Sequence, residues 1–163
     1  MISLLRVDDR LIHGQVAVTW TSYLSADTIV VSNDRNAKDP FLQMALTLAK
    51  PPSVDLEILT TEDTIKFCND TSNKQRKMFL VVESTDDALV LTKSIPDIKK
   101  VILGGIRKAE NRYRIDRQVF LSQNDLSNCD SMISLGKHVS VQVIPSEKEF
   151  SITEAKKIYA QKQ

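Results

Sequence analysis

Cysteine, glycine and long apolar runs are all scarce in this chain of 163 residues. Its two cysteines, Cys68 and Cys129, are too few for a disulfide framework and lack the CxxC spacing of a metal or redox pair. We therefore expect both to be buried free thiols. The glycines form neither a Walker loop nor a dinucleotide-binding fingerprint, so no motif for a bound nucleotide is present.

Hydropathy and charge exclude further classes of protein. No stretch reaches the roughly 18 uncharged apolar residues of a membrane-spanning helix, and the apolar run 1–7 is too short for a signal peptide. We therefore expect a cytoplasmic protein. Lys and Arg total 22 against 21 for Asp and Glu, so net charge gives no reason to expect nucleic acid or an acidic membrane surface as the partner. No motif requires a metal or cofactor, and we expect neither.

Short β-branched runs alternate with stretches of helical pattern. The predicted strands are Ile2–Val7, Thr28–Val31, Val54–Leu59, Met78–Val82, Val101–Leu103 and Val139–Ile144, with a further short strand or edge element at Arg112–Ile115. Parallel neighbours need crossovers of helical length, so the alternation predicts an α/β fold with a mostly parallel central sheet flanked by helices on both faces. The length fits a single domain.

Two amphipathic segments, 14–24 and 41–49, are predicted to be core-facing helices. The apolar residues on one face are Ala17, Trp20 and Leu24 in the first segment and Phe41, Met44, Ala45 and Leu48 in the second. Asp39-Pro40 is a start signal for the second helix, and Pro51-Pro52 ends it. The sequence 151–154 predicts a capping box that opens the last helix, and Ser122 with Asp125 is a weaker version of the same signal.

The loop that follows the first predicted strand, residues 8–15, reads DDRLIHGQ. Sites in parallel α/β sheets form beyond the carboxyl ends of the strands, and the start of a helix favours a phosphate held nearby, where Gly14 permits close approach. The neutral imidazole of His13 is a competent nucleophile that can accept a phosphoryl group. Arg10 can pair with the phosphate oxygens, and either Asp8 or Asp9 can fix the ring tautomer or the position of Arg10.

Each of these features also has a plainer interpretation. A lone loop histidine is often a surface or capping residue, and a charged loop is often simply solvated. Gly104-Gly105 is either a loop that approaches a bound group or a tight turn, and the segment 33–35 either lines the same cleft or is an ordinary turn. His138 lacks a charged cluster and is interpreted as structural, and Trp20 as a core residue.

The stretch 6–16, RVDDRLIHGQV, closely resembles the phosphorylation loop of the IIB component of the mannose/fructose/sorbose class of the phosphoenolpyruvate-dependent sugar phosphotransferase system. The resemblance continues through 29–34, 37–40 and 104–106 and ends near 143–145. It therefore covers nearly the whole chain, and residues 1–163 are identified as one IIB domain of this class, also called type 4.

The resemblance implies a protein-N(pi)-phosphohistidine–sugar phosphotransferase. His13 would receive a phosphoryl group from a phosphohistidine of the IIA component and pass it to a sugar bound by the membrane components IIC and IID, with which the chain would associate peripherally. It also implies that Arg10 lies near that phosphate and that Asp9, Gly14 and Gln15 support the loop. Neither a cofactor nor a metal is implied.

One position departs from the family pattern. Members of this class often carry an asparagine two residues before the paired glycines, where this chain has Ile102. The isoleucine side chain can make no polar contact from that position, and Ser84-Thr85 is a candidate to replace the amide. Two other functions stay open: a signalling module with a phosphorylated Asp8 or Asp9, which usually requires Mg²⁺, and a domain that only binds a partner or nucleotide.

Overall fold

The computed structural model describes residues Met1–Gln163 and contains nine β-strands. They are β1 (Ile2–Asp8), β2 (Thr28–Ser32), β3 (Asp55–Leu59), β4 (Met78–Val82), β5 (Lys100–Gly105), β6 (Tyr113–Asp116), β7 (Val119–Leu121), β8 (His138–Val141) and β9 (Phe150–Ser151). Seven strands form the central sheet in the order β3-β2-β4-β1-β5-β8-β9, which is parallel except for the last pair. Strands β6 and β7 form a separate antiparallel hairpin. The predicted α/β class is confirmed.

Seven α-helices connect the strands. They are α1 (Gly14–Leu24), α2 (Asp34–Ala37), α3 (Pro40–Ala49), α4 (Thr61–Asn69), α5 (Thr85–Ser94), α6 (Gln123–Ser134) and α7 (Ile152–Lys162), with a 3-10 turn at Thr71–Asn73. Residues of α1 and α3 share a core cluster of 12 residues on one face of the sheet, and residues of α4 to α7 share one of 27 on the other. The helices therefore cover both faces, as predicted.

The last long strand is shorter than its pattern predicts. The run Val139–Ile144 is apolar and β-branched, yet β8 ends at Val141. The carbonyl of Val143 turns away from the ladder and accepts hydrogen bonds from the side chains of Arg6 and Trp20 instead, at 2.9 Å each. The side chains of Arg6 and Trp20 thus supply the hydrogen bonds that a neighbouring strand would otherwise donate to the Val143 carbonyl.

Helix α3 overturns one prediction. Its apolar face is predicted to pack into the core, but Phe41, Met44 and Leu48 are 75%, 61% and 82% exposed, and Leu46 is the residue that α3 buries. The helix carries apolar side chains around most of its circumference, so periodicity alone does not decide which face packs. The helix packs on the other side, and an apolar surface is left in solvent.

The predicted helix starts are present, but the capping box predicted to be weaker is the complete one. Asp39 accepts hydrogen bonds from the first turn of α3, as expected. Ser122 and Asp125, the weaker signal, form the complete reciprocal capping box. At α7 only one half of the box forms, in which the Ser151 hydroxyl accepts from the backbone N–H of Glu154.

Candidate functional site

The loop after β1 lies at the point where the chain connections of the sheet diverge. Strand β1 sits between β4 and β5; the chain leaves β1 toward β2 on one side, whereas it leaves β5 toward β8 on the other. Crevices at such switch points are the usual binding places of parallel sheets. The backbone N–H of Asp9 donates to the carbonyl of Gly105 at 2.8 Å, so the loops after β1 and β5 meet there.

The loop is held by its apolar residues and exposes its polar ones. Leu11 and Ile12 are 7% and 5% exposed and belong to the smaller core cluster. Leu11 adopts a left-handed conformation at φ 59°, which is unfavourable for a leucine and is maintained by this burial. The turn directs His13 to the surface at the first turn of α1, where Gly14 has φ 47°.

His13 forms a close contact with Asp8. As the residue that precedes α1 it makes no side-chain cap, and its Nε2 lies 2.8 Å from Oδ2 of Asp8. Burial alone raises the pKa of the Asp8 carboxyl, but the contacts with His13 and Arg6 outweigh it and leave the pKa below its ordinary value. Asp8 is therefore ionised and can only accept a hydrogen bond, so the proton of the neutral His13 ring lies on Nε2. The other ring nitrogen, Nδ1, then carries the lone pair. The imidazole side chain is 22% exposed.

Arg6 lies beneath this contact as a buried counter-charge. Its side chain is 2% exposed, its Nη2 donates to Asp8 Oδ2 at 3.1 Å, and its Nη1 donates to the carbonyl of Val143. Burial lowers the pKa of the Arg6 guanidinium, although the adjacent Asp8 opposes this effect. Arg6, Asp8 and His13 thus form a continuous line of charged and polar groups from the interior to the surface.

The paired glycines make room for this line. A Cβ at Gly104 would overlap the guanidinium of Arg6, and one at Gly105 would lie 2.7 Å from Oδ1 of Asp8. Neither sequence interpretation describes the two glycines as they are, because both end strand β5 rather than form a turn, and no bound group is what they approach. The groups that approach are side chains of the protein itself.

The structure gives the two aspartates different partners. Asp8 contacts the imidazole, and its Oδ1 accepts the backbone N–H of Arg10 at 3.0 Å. Asp9 turns away, and its Oδ2 lies 3.2 Å from Nε of Arg107 and accepts the Arg107 backbone N–H. Asp9 therefore ties the two loops together, whereas Asp8 is the residue that orients the ring.

The remaining predicted loop residues do not contact His13. Arg10 is exposed, and its guanidinium donates to Oε1 of Gln118 at 3.1 Å, on the β6–β7 side of the loop. Gly14 and Gln15 are exposed in the first turn of α1. The long Arg10 side chain is exposed, and its hydrogen bond to Gln118 is also exposed, so solvent reaches both.

Two shallow grooves flank the loop. The first, of about 210 Å³, lies between the loop and the β6–β7 hairpin and is lined by four cationic side chains: Arg10, Arg107, Lys108 and Arg117. The second, of about 240 Å³, lies between the loop and α3, and Arg35 lines it with Arg10. The segment 33–35 thus reaches the cleft through Arg35, although Asn33 also caps α2.

The other candidates lie outside the site. His138 contacts Glu149 at 3.1 Å on an exposed strand end. Ile102 is fully buried in the smaller core cluster, and Ser84 and Thr85 do not supply a polar group in its place, because Ser84 caps α5 and Thr85 donates to Asp125 at 2.6 Å. No group of three or more His, Cys, Asp or Glu residues is placed to hold a metal, and no helix has the length and hydropathy to cross a membrane.

Sequence reasoning missed the role of Arg6. A signal for it exists, because Arg6 and Asp8 are two residues apart in a strand and therefore point to the same face. An arginine within an otherwise apolar strand also needs a buried partner. The pattern nevertheless does not reveal that residues 142–143 supply the remaining acceptors.

Known proteins resemble this chain over most of its length. The family model for the sorbose subfamily IIB component of the PTS system matches residues 2–163. A probable phosphotransferase enzyme IIB component of Streptococcus pyogenes is 34% identical over 94% of this chain and 98% of its own length. The crystal structure of an N-acetylgalactosamine-specific IIB component from Escherichia coli has a TM-score of 0.87 and 28% identity, covering 93% of this chain and 99% of that one. The mannose-specific EIIAB component of Escherichia coli is 25% identical over 93% of this chain and 47% of its own length.

Proposed function

The chain belongs to the sorbose subfamily of IIB components, which are phosphotransferases of sugar uptake systems, and on this premise we propose that His13 is the residue that carries the phosphoryl group. The observation that supports this assignment is the 2.8 Å contact between Nε2 of His13 and the buried carboxylate of Asp8. It leaves Nδ1 as the nucleophilic atom at the protein surface. The reaction is that of a protein-N(pi)-phosphohistidine–sugar phosphotransferase.

Phosphoryl uptake proceeds by in-line displacement. The lone pair of His13 Nδ1 attacks the phosphorus while the P–N bond to the donor histidine breaks, and the donor imidazole, which carries a proton on its other nitrogen, leaves as the neutral ring. The attacking ring gains positive charge and keeps its proton on Nε2. The Asp8 carboxylate stabilises this charge, and Arg6 keeps Asp8 ionised and in place.

Arg10 and the first turn of α1 stabilise the transferred group. The guanidinium leaves Gln118 and pairs with the phosphoryl oxygens, while the free N–H groups at the start of α1 face the same anion. Asp9, Gly14 and Gln15 support the loop around it. In the second step a sugar hydroxyl oxygen attacks the phosphorus while the P–Nδ1 bond breaks; His13 leaves as the neutral ring with its proton on Nε2, and the hydroxyl proton passes to solvent.

The donor is a phosphohistidine of a IIA component, and the acceptor is a sugar held by the membrane components IIC and IID. The mannose-specific EIIAB relative, whose name joins the two components, supports the pairing with IIA. The protein then works in the cytoplasm, next to the permease. Neither a metal nor a cofactor takes part in this mechanism.

The test is phosphoryl transfer from phosphoenolpyruvate through the general phosphotransferase proteins and a cognate IIA component, with wild type and His13→Ala compared. Acid-labile, base-stable label on the wild type alone is the expected result. A base-labile label that persists in His13→Ala would instead identify an acyl phosphate on an aspartate. Absence of label on the wild type with a competent IIA component would refute the carrier role.

A further inference from the structure

Helix α3 presents an apolar surface to solvent. Phe41, Met44 and Leu48 are 61% to 82% exposed, and Ala45 is exposed between them. At 3.6 residues per turn these three large side chains fall within about 60° of one another around the helix axis. We call Phe41, Met44, Ala45 and Leu48 the α3 surface. Single exposed hydrophobics are ordinary, but three on one helix face mark an interaction site.

The α3 surface continues directly into the phosphorylation loop. The groove of about 240 Å³ beside the loop has Arg10, Leu11 and Ile12 along one side and Leu42, Ala45 and Leu46 of α3 along the other. Ala45 belongs both to this groove and to the α3 surface. A partner seated over the loop on this side therefore meets Ala45 and the α3 surface directly across the groove, whose lining also includes the charged side chains of Arg35 and Glu83.

The two sides of the loop differ in chemistry. On the hairpin side the groove is lined by Arg10, Arg107, Lys108 and Arg117, which suits the phosphoryl group and acidic side chains. On the α3 side the groove holds charges of both signs, Arg35 and Glu83, and the large exposed side chains of α3 itself are a phenylalanine, a methionine and a leucine. Interfaces typically have an apolar, aromatic- and methionine-rich centre and a polar rim, and only the α3 side supplies such a centre beside His13.

From these observations we propose that the α3 surface is the docking surface for the IIA phosphoryl donor, an inference that rests on the proposed function. Both histidines of the transfer belong to proteins, so two protein surfaces must meet around His13. A standard interface covers about 800 Å² per partner, a patch about 30 Å across, and a donor centred on His13 must cover the adjoining groove and α3. The mannose-specific EIIAB relative, whose name joins the two components, supports a IIA component as the occupant of this surface.

The experiment compares three proteins. The α3 variant carries Phe41→Ser, Met44→Ser and Leu48→Ser. The matched control carries Val90→Ser in α5, Ile133→Ser in α6 and Leu135→Ser directly after α6, three apolar residues on the opposite layer with exposures of 43% to 46%. Initial rates of labelling are measured at increasing concentrations of phosphorylated IIA component, and each protein is also labelled with phosphoramidate, a small phosphoryl donor that needs no docking surface.

We expect the KM for phosphorylated IIA to rise at least about tenfold in the α3 variant, as for an interface hot spot, and to change less than about twofold in the control. Phosphoramidate labelling of His13 should be equal in all three. An unchanged KM in the α3 variant overturns the proposal. With KM unchanged, loss of sugar phosphorylation in membrane vesicles would assign the surface to the membrane components, and loss of self-association in sedimentation would assign it to a second copy. Failure of both donors to label wild-type His13 would refute the carrier function itself.

Discussion

Replacing Asp8 by asparagine should slow phosphoryl transfer to His13 beyond what the accompanying loss of stability explains. The substitution keeps the size of the side chain and removes its charge. The new amide can donate to Nε2 as well as accept from it, and donation would move the ring proton to Nδ1, the atom that has to attack. The ring would then lose both its fixed tautomer and the anion that stabilises its positive charge.

The size of the effect follows from the short contact between the two side chains. Unit charges about 4 Å apart interact by about 4 kcal/mol at an effective dielectric constant of 20. Asp8 is fully buried, so solvent screens the interaction little, whereas Arg6 at 3.1 Å offsets part of it. A loss of about 2 to 4 kcal/mol of transition-state stabilisation corresponds to a transfer rate lower by about 30- to 1000-fold.

The assay is rapid-quench labelling of His13 by phosphorylated IIA and by phosphoramidate, with rates expressed per folded molecule. That normalisation matters because Asp8→Asn also leaves Arg6 buried without a counter-charge and should lower stability by about 3 to 5 kcal/mol. Asp125→Asn is the matched control. Asp125 is 3% exposed, accepts from Thr85 and lies 3.4 Å from Nε of Arg112, but it has no contact with His13.

The control should therefore lose stability and keep its rate per folded molecule. If Asp8→Asn transfers within about threefold of wild type with either donor, Asp8 does not act on the ring during transfer. The same would follow if Asp125→Asn lowered the rate as much as Asp8→Asn did, because the loss would then report general damage to the fold.

Three further outcomes follow from the same structure. Gly104→Ala should lower the free energy of unfolding, measured by urea denaturation, by about 3 to 5 kcal/mol because its Cβ would displace Arg6 from Asp8. Gly136→Ala, at φ 84° in open space, should lower it by about 1 to 2 kcal/mol. Equal losses would contradict this reasoning. The pKa of Asp8 lies below its ordinary value despite burial, because His13 and Arg6 favour the ionised form. The ionised carboxylate therefore stabilises the fold at any pH above the unfolded-state pKa of about 3.9. This contribution is lost as the pH falls through the lower folded-state pKa. The unfolding free energy of wild type should accordingly fall more steeply than that of Asp8→Asn below about pH 4, and parallel curves would show that the carboxylate contributes nothing. Burial raises the pKa of Cys68 to about 11 and that of Cys129 to about 12, so neither thiol should react with iodoacetamide at pH 8 until urea is added, as mass spectrometry can check.

Much of the architecture was predictable because the deciding signals are local. Helix α1 has the predicted bounds, Gly14–Leu24, since glycine at one end and a break in apolar periodicity at the other delimit it. Strand β4 also has its predicted bounds, Met78–Val82. The alternation of such elements predicted the parallel sheet, and the position of the loop after β1 followed from the fold class.

The packed face of α3 was not predictable in the same way. Its five large apolar residues fall on two faces, Phe41, Met44 and Leu48 on one and Leu42 and Leu46 on the other, so the pattern fits more than one buried face. Which face packs depends on the strands beneath it, and Leu46 is a member of the smaller core cluster, which also contains Ile29 and Val31 of β2. Information of this kind is present only in the tertiary structure.

The choice between Asp8 and Asp9 was also beyond the sequence. The two residues are adjacent and chemically identical, and either is within reach of a histidine a few residues later. Strand pairing decides between them. Because Asp8 is the last residue of β1, its side chain shares the interior face with Arg6, and Asp9 falls on the other side, toward Arg107.

The anchoring of Arg6 has a consequence for the order of events during synthesis. Arg6 donates to the carbonyl of Val143, which follows it by 137 residues. At typical ribosomal speeds of about 5 to 20 residues per second, roughly ten seconds separate the emergence of the two residues. Throughout that interval the nascent chain already displays His13 but lacks residues 142–143, so Arg6 has only Asp8 as an acceptor and the pair is not anchored to the rest of the fold. If His13 is the carrier residue, we expect competence to accept a phosphoryl group only when nearly the whole chain has left the ribosome, and we expect a product truncated before residue 142 to be inactive.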